Sequence, residues 1–262
     1  MSETKDMVVI LTGASRGIGL STAHHLLSTN LTTKLLITAR TLAPLAALQA
    51  QYGAARVEVL AGDAADFSLA GEAVERVLRR WGRLDALVVN HGGLEPVRKV
   101  GESSVEEWRA AFDRNVFGGL SFIQAALPAL RTSHGRIILI SSGAATTAYQ
   151  GWAAYGAGKA VLNHLALSLA VEEPLVTSIA LRPGVVDTEM QREIREVHAA
   201  QMSEGDRGKF LGLKEGGKLV RPERVGAVVG SLAVGVGREL SGRFLSWDDE
   251  VLAGFQGEEG SG

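Results

Sequence analysis

The sequence predicts an α/β fold, a doubly wound and mainly parallel sheet flanked by helices. Two observations carry this. Short apolar runs recur at regular intervals, and most lack polar alternation, as strands buried on both faces of a parallel sheet do. Longer segments of helical composition separate them, and strand, helix, strand at that rhythm is how parallel crossover units are written. Bulk composition agrees: of 262 residues, 46% are apolar against 21% charged, which suffices for a packed core. No repeat or linker divides the chain, so one domain is expected over residues 1–255, with a disordered tail at 256–262.

In chain order, the expected strands are Val8-Val9-Ile10-Leu11, Leu35-Leu36-Ile37, Val57-Glu58-Val59-Leu60, Leu87-Val88-Val89, Ile137-Ile138-Leu139-Ile140 and Ile179-Ala180-Leu181. Each is too short for a helix and rich in β-branched residues or leucine. Helices are expected around 21–28, 42–51, 69–81, 105–131 and 153–172. After Leu181 the rhythm changes. Residues 188–218 are rich in charge and hold no obvious strand, which suits a substrate lid, since long charged loops in compact domains tend to be functional. A last helix at 222–234 has Pro222 in its first turn, and Gly242-Arg243-Phe244-Leu245-Ser246-Trp247 supplies an edge strand. Ligands of an open α/β sheet bind beyond the carboxyl ends of its strands, so the chemistry belongs just after each apolar run.

Composition also excludes. Lys and Arg total 27 against 29 acids, a net charge of −2, whereas a nucleic-acid or anionic-membrane surface needs a concentrated basic face. The absence of cysteine removes disulfides, zinc-thiolate sites, iron–sulfur clusters and thiol nucleophiles. The six histidines show no metal-ligand spacing, and His24 and His25 point to different faces. No Gly-x-Ser-x-Gly elbow occurs, and the P-loop-like spacing at 212–219 has Leu219 where magnesium needs a hydroxyl. Acids in the first six residues do not suit a targeting peptide, and no apolar stretch approaches bilayer length. A cytoplasmic protein without membrane or nucleic-acid partners is expected.

The first strand runs into Thr12-Gly13-Ala14-Ser15-Arg16-Gly17-Ile18-Gly19, and a helical pattern follows. Glycines there allow a tight turn and close approach of a pyrophosphate, while backbone N–H groups and the helix dipole favour the anion. The second strand ends Ile37-Thr38-Ala39-Arg40, with no carboxylate at its tip. Arg40 and Arg16 both suit the 2′-phosphate of NADP(H) rather than the ribose hydroxyls of NAD.

Tyr155 and Lys159 are four residues apart at the start of an apolar helix, roughly 6 Å along its axis and on nearly one face. The ammonium is expected to lower the phenol pKa and so tune a general acid/base.

The spacing Gly-x-x-x-Gly-x-Gly together with Tyr155 and Lys159 resembles the short-chain dehydrogenase/reductase family. Residues from about 8 to 247 follow that family's order of motifs. The resemblance implies a single Rossmann-type domain that transfers a hydride between NADP(H) and a ketone or aldehyde, with an alcohol as the reduced partner. It implies catalytic roles for Asn115, Ser142, Tyr155 and Lys159: Tyr155 as acid/base, Ser142 rather than Ser141 beside the carbonyl, Lys159 on the nicotinamide ribose, and Asn115 ordering a water toward Lys159. Cofactor contacts are implied for Gly13, Ser15, Arg16, Gly17, Ile18, Gly19, Arg40, Asp63, Ala64, Asn90, Tyr155, Lys159, Pro183, Gly184, Val186 and Thr188, with Asp63 on the adenine. His91 stands where the family carries alanine, and a local structural role is expected of it. Relatives pair through the helices bearing Asn115 and Tyr155, which implies a homo-oligomer, a dimer or tetramer. The ending at 240–248 is similar to fungal sepiapterin and benzil reductases and implies a bulky ketone or diketone. Met190, Met202, Phe210, Trp152 and Tyr149 could line its pocket, but as packing residues rather than sites. A cofactor sensor or a non-redox enzyme on the same fold is the alternative, disfavoured by the intact Asn115, Ser142, Tyr155 and Lys159.

Overall fold

Alternate residues of the first strand, β1 (Val8–Thr12), feed two different cores: Val9 and Leu11 one, Val8 and Ile10 the other. A strand buried on both faces needs helices above and below, which is why its sequence is continuously apolar. In the computed structural model, which describes residues 6–257, seven strands form one wholly parallel sheet. The others are β2 (Lys34–Ala39), β3 (Val57–Ala61), β4 (Ala86–Val89), β5 (Arg136–Ile140), β6 (Thr177–Arg182) and β7 (Phe244–Ser246), the edge strand expected from the sequence. Their order is β3-β2-β1-β4-β5-β6-β7, so the winding reverses between β1 and β4 and leaves a crevice at their carboxyl ends.

One face is covered by α1 (Gly17–Thr29), α2 (Leu42–Tyr52) and the late helix Pro222–Gly235. Two glycines let that late helix lie almost on α1: a Cβ at Gly226 would sit 2.6 Å from the Ser21 Cβ, and one at Gly230 2.7 Å from the His25 ring. The other face is covered by α3 (Ser68–Trp81), a helix at Gly118–Ser133 and one at Ala153–Glu172, with Phe122 fully buried among them. On edge strand β3, Glu58 binds Arg76 at 3.3 Å and Arg80 at 2.6 Å, both from α3.

Three expectations need correction. The helix foreseen at 105–131 is not continuous: α4 (Val105–Phe112), started by a Ser104–Glu107 capping box, passes through a π-helical turn at Asp113–Phe117 into α5 (Gly118–Ser133). A π-turn inserts an extra residue and re-aims its side chains. Here it buries Asn115, whose amide clamps Gly93: Oδ1 accepts from its N–H at 2.8 Å and Nδ2 donates to its carbonyl at 2.9 Å. The segment at 188–218 is largely helical rather than a loop. After α6 (Ala153–Glu172) it forms α7 (Glu189–Glu196) and α8 (Glu204–Glu215), followed by α9 (Pro222–Gly235). Ser203 caps α8 by accepting from Asp206 N–H at 3.1 Å, while Ile194, Met202 and Phe210 supply the apolar side of the pair. Gln256, expected to open the disordered tail, instead closes the last turn and donates to the Asp249 carbonyl at 3.2 Å. The rest of the expected tail, 258–262, and the acidic start at 1–5 lie outside the described residues. No helix among the described residues is long and apolar enough to cross a membrane.

Candidate active site

At the carboxyl end of β1 the chain turns through Gly13 (φ +68°) and enters α1 at Gly17 (φ +54°), left-handed conformations that favour glycine. A Cβ at Gly19 would lie 2.2 Å from the Gly13 carbonyl oxygen, so the turn closes only because that side chain is missing. The turn is held from below. Asn90 donates from Nδ2 to the carbonyls of Thr12 and Gly13 at 3.1 and 3.0 Å, and Thr12 Oγ1 accepts from Asn90 N–H at 3.0 Å. Arg16 gives α1 no side-chain cap, and no acid occupies its first turn. The first N–H groups of the helix therefore point outward with the positive dipole end, the arrangement that binds a phosphate.

Arg40 is exposed at the tip of β2. Arg16 is also exposed and meets Glu193 of α7 at 3.5 Å. Both line one cleft with Ser15, Ile18, Asp63 and Ala64. Asp63, just beyond β3, is exposed and accepts from the Ala65 N–H at 3.0 Å. A glycine cradle, outward amides and two guanidinium groups fit a nicotinamide dinucleotide.

Tyr155 and Lys159 stand one turn apart on α6, 7% and 4% exposed. Lys159 Nζ donates to the Ile140 carbonyl at 2.6 Å and lies 5.7 Å from the centre of the Tyr155 ring. Burial pushes the lysine down to about 8. Burial pushes the Tyr155 phenol up, against a smaller opposing pull from a hydrogen bond with Ser142. The sequence-based expectation was the reverse, a phenol pulled down by its neighbouring ammonium. In the folded chain the ammonium is directed at Ile140, and removing the phenol from water outweighs everything else acting on it.

Ser142 follows β5, partly exposed on the cleft, and its Oγ accepts from Ala144 N–H at 3.1 Å. Ser141 faces inward and bonds Asn163 Oδ1 at 2.6 Å. Asn115 stands behind the cleft wall. Each end of its amide is engaged once by Gly93, so each retains capacity for a further partner. A Cβ on Gly92 would lie 2.9 Å from Asn115 Oδ1 and 3.4 Å from Lys159 Nζ, so the loop after β4 closes tightly over both.

His91 bonds Thr12 Oγ1 through Nδ1 at 2.7 Å and leans on Phe122, while Nε2 is buried beside the Arg114 backbone without a well-formed hydrogen bond. Burial, aided by Lys159, holds it at about 4 and therefore neutral. Beyond β6, Gly184 (φ +75°) packs on Trp247, Val186 pairs with Val220, and Thr188 touches Gly17, which brings the start of α7 against the glycine turn.

A single cleft of about 900 Å³ gathers every candidate residue except Gly19 and Asn115, which lie just behind its wall. Its far half is aromatic. Trp152 stacks on Phe210 (5.5 Å, 19°), touches Tyr149 (4.9 Å) and meets Tyr155 edge-on (6.1 Å, 89°). Of the residues treated as packing in the sequence, Tyr149, Trp152, Met190 and Phe210 line the cleft, whereas Met202 only packs behind it. Arg114 and Arg182, at the starts of the segments that carry Asn115 and Thr188, also line it, as do Leu94, Lys209 and Leu213, which belong to no motif. Thr12 was legible as the last residue before the glycine turn, but not as the hydrogen-bond hub it forms.

Known proteins share this arrangement. The family model for short chain dehydrogenases matches residues 7–199. An uncharacterized oxidoreductase of Schizosaccharomyces pombe is 38% identical over 96% of this chain and 100% of its own length. A benzil reductase ((S)-benzoin forming) of Saccharomyces cerevisiae is 38% identical over 95% of this chain and 99% of its own. A crystal structure of a short chain dehydrogenase/reductase from Saccharomyces cerevisiae superposes with a TM-score of 0.93 at 38% identity, covering 96% of this chain and 100% of that one. With sheet, glycine turn and the Ser-Tyr-Lys grouping in one cleft and relatives matched end to end, the chain belongs to the short-chain dehydrogenase family of nicotinamide-dependent oxidoreductases.

Proposed function

We propose that this enzyme reduces a ketone or aldehyde to the alcohol, reversibly, with NADP(H), and that Tyr155 is its general acid/base. The observation that carries this reading is the Tyr155 phenol, buried and bonded to Ser142, one helical turn from the Lys159 ammonium and in the same cleft as the glycine turn. The benzil reductase relative supports carbonyl reduction.

Gly13, Gly17 and the first amides of α1 would hold the pyrophosphate, Asp63 the adenine, and Thr188 with the Val186 backbone the nicotinamide end. Arg40 and Arg16 favour a 2′-phosphate, so the reading is NADP(H). When bound, the cofactor supplies the hydride equivalent. Ser142 aligns the carbonyl oxygen beside Tyr155. Burial keeps Tyr155 protonated, the state a proton donor needs, and the phenol releases its proton to the oxygen as negative charge builds there. Lys159 then stabilises the phenolate left behind. Exposed Val105, Phe117, Leu167 and Val171 on α4 to α6 support pairing of two copies through these helices. Reaction in the cytoplasm by a homo-oligomer completes the proposal.

The test is Tyr155→Phe. It should bind NADPH as the parent does and lose ketone reduction by roughly 10²–10⁴-fold; unchanged turnover would falsify the assignment.

A further inference from the structure

The aromatic half of the cleft also carries charge. Lys209, exposed on α8, donates from Nζ to the Tyr149 hydroxyl at 2.8 Å and lies 4.9 Å from the Tyr149 ring centre and 5.7 Å from that of Phe210. An ammonium has three donors, and Tyr149 takes one. No carboxylate among the described residues forms an ion pair with it. Asp187, on the same lid, is paired with Lys214 at 3.0 Å, and Asp206, one turn earlier, accepts from Ser203 at 2.7 Å. Arg182, against Gly143 and so beside Ser142, also has no acidic partner among the described residues. The cleft's one lining carboxylate among the described residues is Asp63, on the cofactor side. A substrate therefore meets rings and cations but no acid.

We propose that the substrate is an aromatic ketone with a carboxylate across the ring from the carbonyl, and that Lys209 binds that carboxylate. The proposal rests on the carbonyl-reduction reading. Tyr149 and Trp152 separate Lys209 from Tyr155, so a carboxylate directly beside the ketone would fall short, whereas one on the far side of a ring reaches. The ring body stacks on Trp152 and Phe210, and the carboxylate takes the open ammonium donors in charge-assisted bonds. In the reaction the carbonyl carbon gains the hydride and its oxygen the Tyr155 proton, while the carboxylate is unchanged.

The experiment compares 4-acetylbenzoate, its methyl ester and neutral benzil as substrates of the full chain with NADPH, in the parent, Lys209→Met and Lys209→Arg. The expected result is a parent preference for the acid over its ester. Lys209→Met should cut kcat/KM for the acid roughly tenfold, mainly through KM, and leave the ester within about twofold, while Lys209→Arg keeps most of the preference. Raised salt should weaken the acid selectively. Reduction of benzil and the ester without preference for the acid, or equal losses for acid and ester in Lys209→Met, overturns this inference and leaves the carbonyl-reduction reading standing. Failure of all three compounds to oxidise NADPH overturns both.

Discussion

Lys159 reaches from α6 to the Ile140 carbonyl at 2.6 Å, and Ile140 is two residues before Ser142. One hydrogen bond thus ties the helix that carries the phenol to the strand end that presents the serine. The ammonium is not bonded to Tyr155 but lies 5.7 Å from the centre of its ring, at a site where burial has weakened its hold on the proton.

A pH profile follows. With its pKa lowered from 10.5 to about 8, Lys159 of the free enzyme loses its charge as pH rises through about 8. On the proposed mechanism reduction uses the protonated phenol and the ammonium behind it, so kcat/KM for ketone reduction should fall above that pH. A profile flat to pH 10 would show that this charge does not matter. The stability sign is opposite: between about 8 and 10.5 the unfolded chain binds more protons at this residue, so its contribution to stability rises with pH there.

Ser142 has two effects to lose. Its hydroxyl lowers the Tyr155 pKa and, on the proposed mechanism, aligns the carbonyl oxygen. Ser142→Ala should push the phenol further up and reduce kcat roughly 10²-fold, with NADPH affinity by fluorescence titration unchanged. An equal loss of cofactor binding would mean that Ser142 supports the fold of the cleft instead.

Cofactor choice should turn more on Arg40, exposed and without an ion-pair partner among the described residues, than on Arg16, which also meets Glu193. Arg40→Asp should weaken NADPH at least about tenfold relative to NADH, because it replaces a phosphate-binding fork with a repelling carboxylate. Unchanged ratios of kcat/KM for the two cofactors would remove Arg40 from the phosphate site.

His91 should make the fold acid-sensitive. Thr12 Oγ1 accepts from the N–H groups of Asn90 and His91, donates to the Val88 carbonyl at 3.2 Å and lies 2.7 Å from Nδ1 of His91, so the imidazole sits inside a closed hydrogen-bond network. Burial there disfavours the charged imidazolium. With the pKa lowered from 6.5 to about 4, the unfolded chain binds the extra proton between those values, so stability falls as pH drops through that window, by up to about 1.4 kcal/mol per pH unit. Thermal melts at pH 7 and 5 should show this loss in the parent and a smaller one in His91→Ala. An identical pH slope in both proteins would sink the assignment.

Much of the fold was legible because it is written locally. Two-sided burial makes a parallel strand continuously apolar, so β1, β2, β4, β5 and β6 can be read from runs such as Ile137 to Ile140. The residues after each run necessarily lie at one edge of the sheet. That explains why Gly13, Arg40, Asp63, Asn90, Ser142 and Thr188, scattered over the chain, were readable as a group.

The π-turn at Asp113–Phe117 was not legible. The pattern at 105–131 is a good helix pattern, and only the clamp between Asn115 and Gly93, residues from different crossover units, rewards the distortion. The helices α7 and α8 were hidden likewise, since their apolar residues are too few to announce a helix until Trp152 and Tyr149 cover them.

By itself, then, the sequence determined the succession of strands along the chain, the glycine turn and the residue types gathered in the candidate site, because these depend on neighbours along the chain. Tertiary structure alone decided the electrostatics of Tyr155 and Lys159 and the aromatic, cationic wall that ends in Lys209. Both depend on how much water is displaced by segments distant in sequence, and solvent exclusion is a sum over the whole fold rather than a property of any motif.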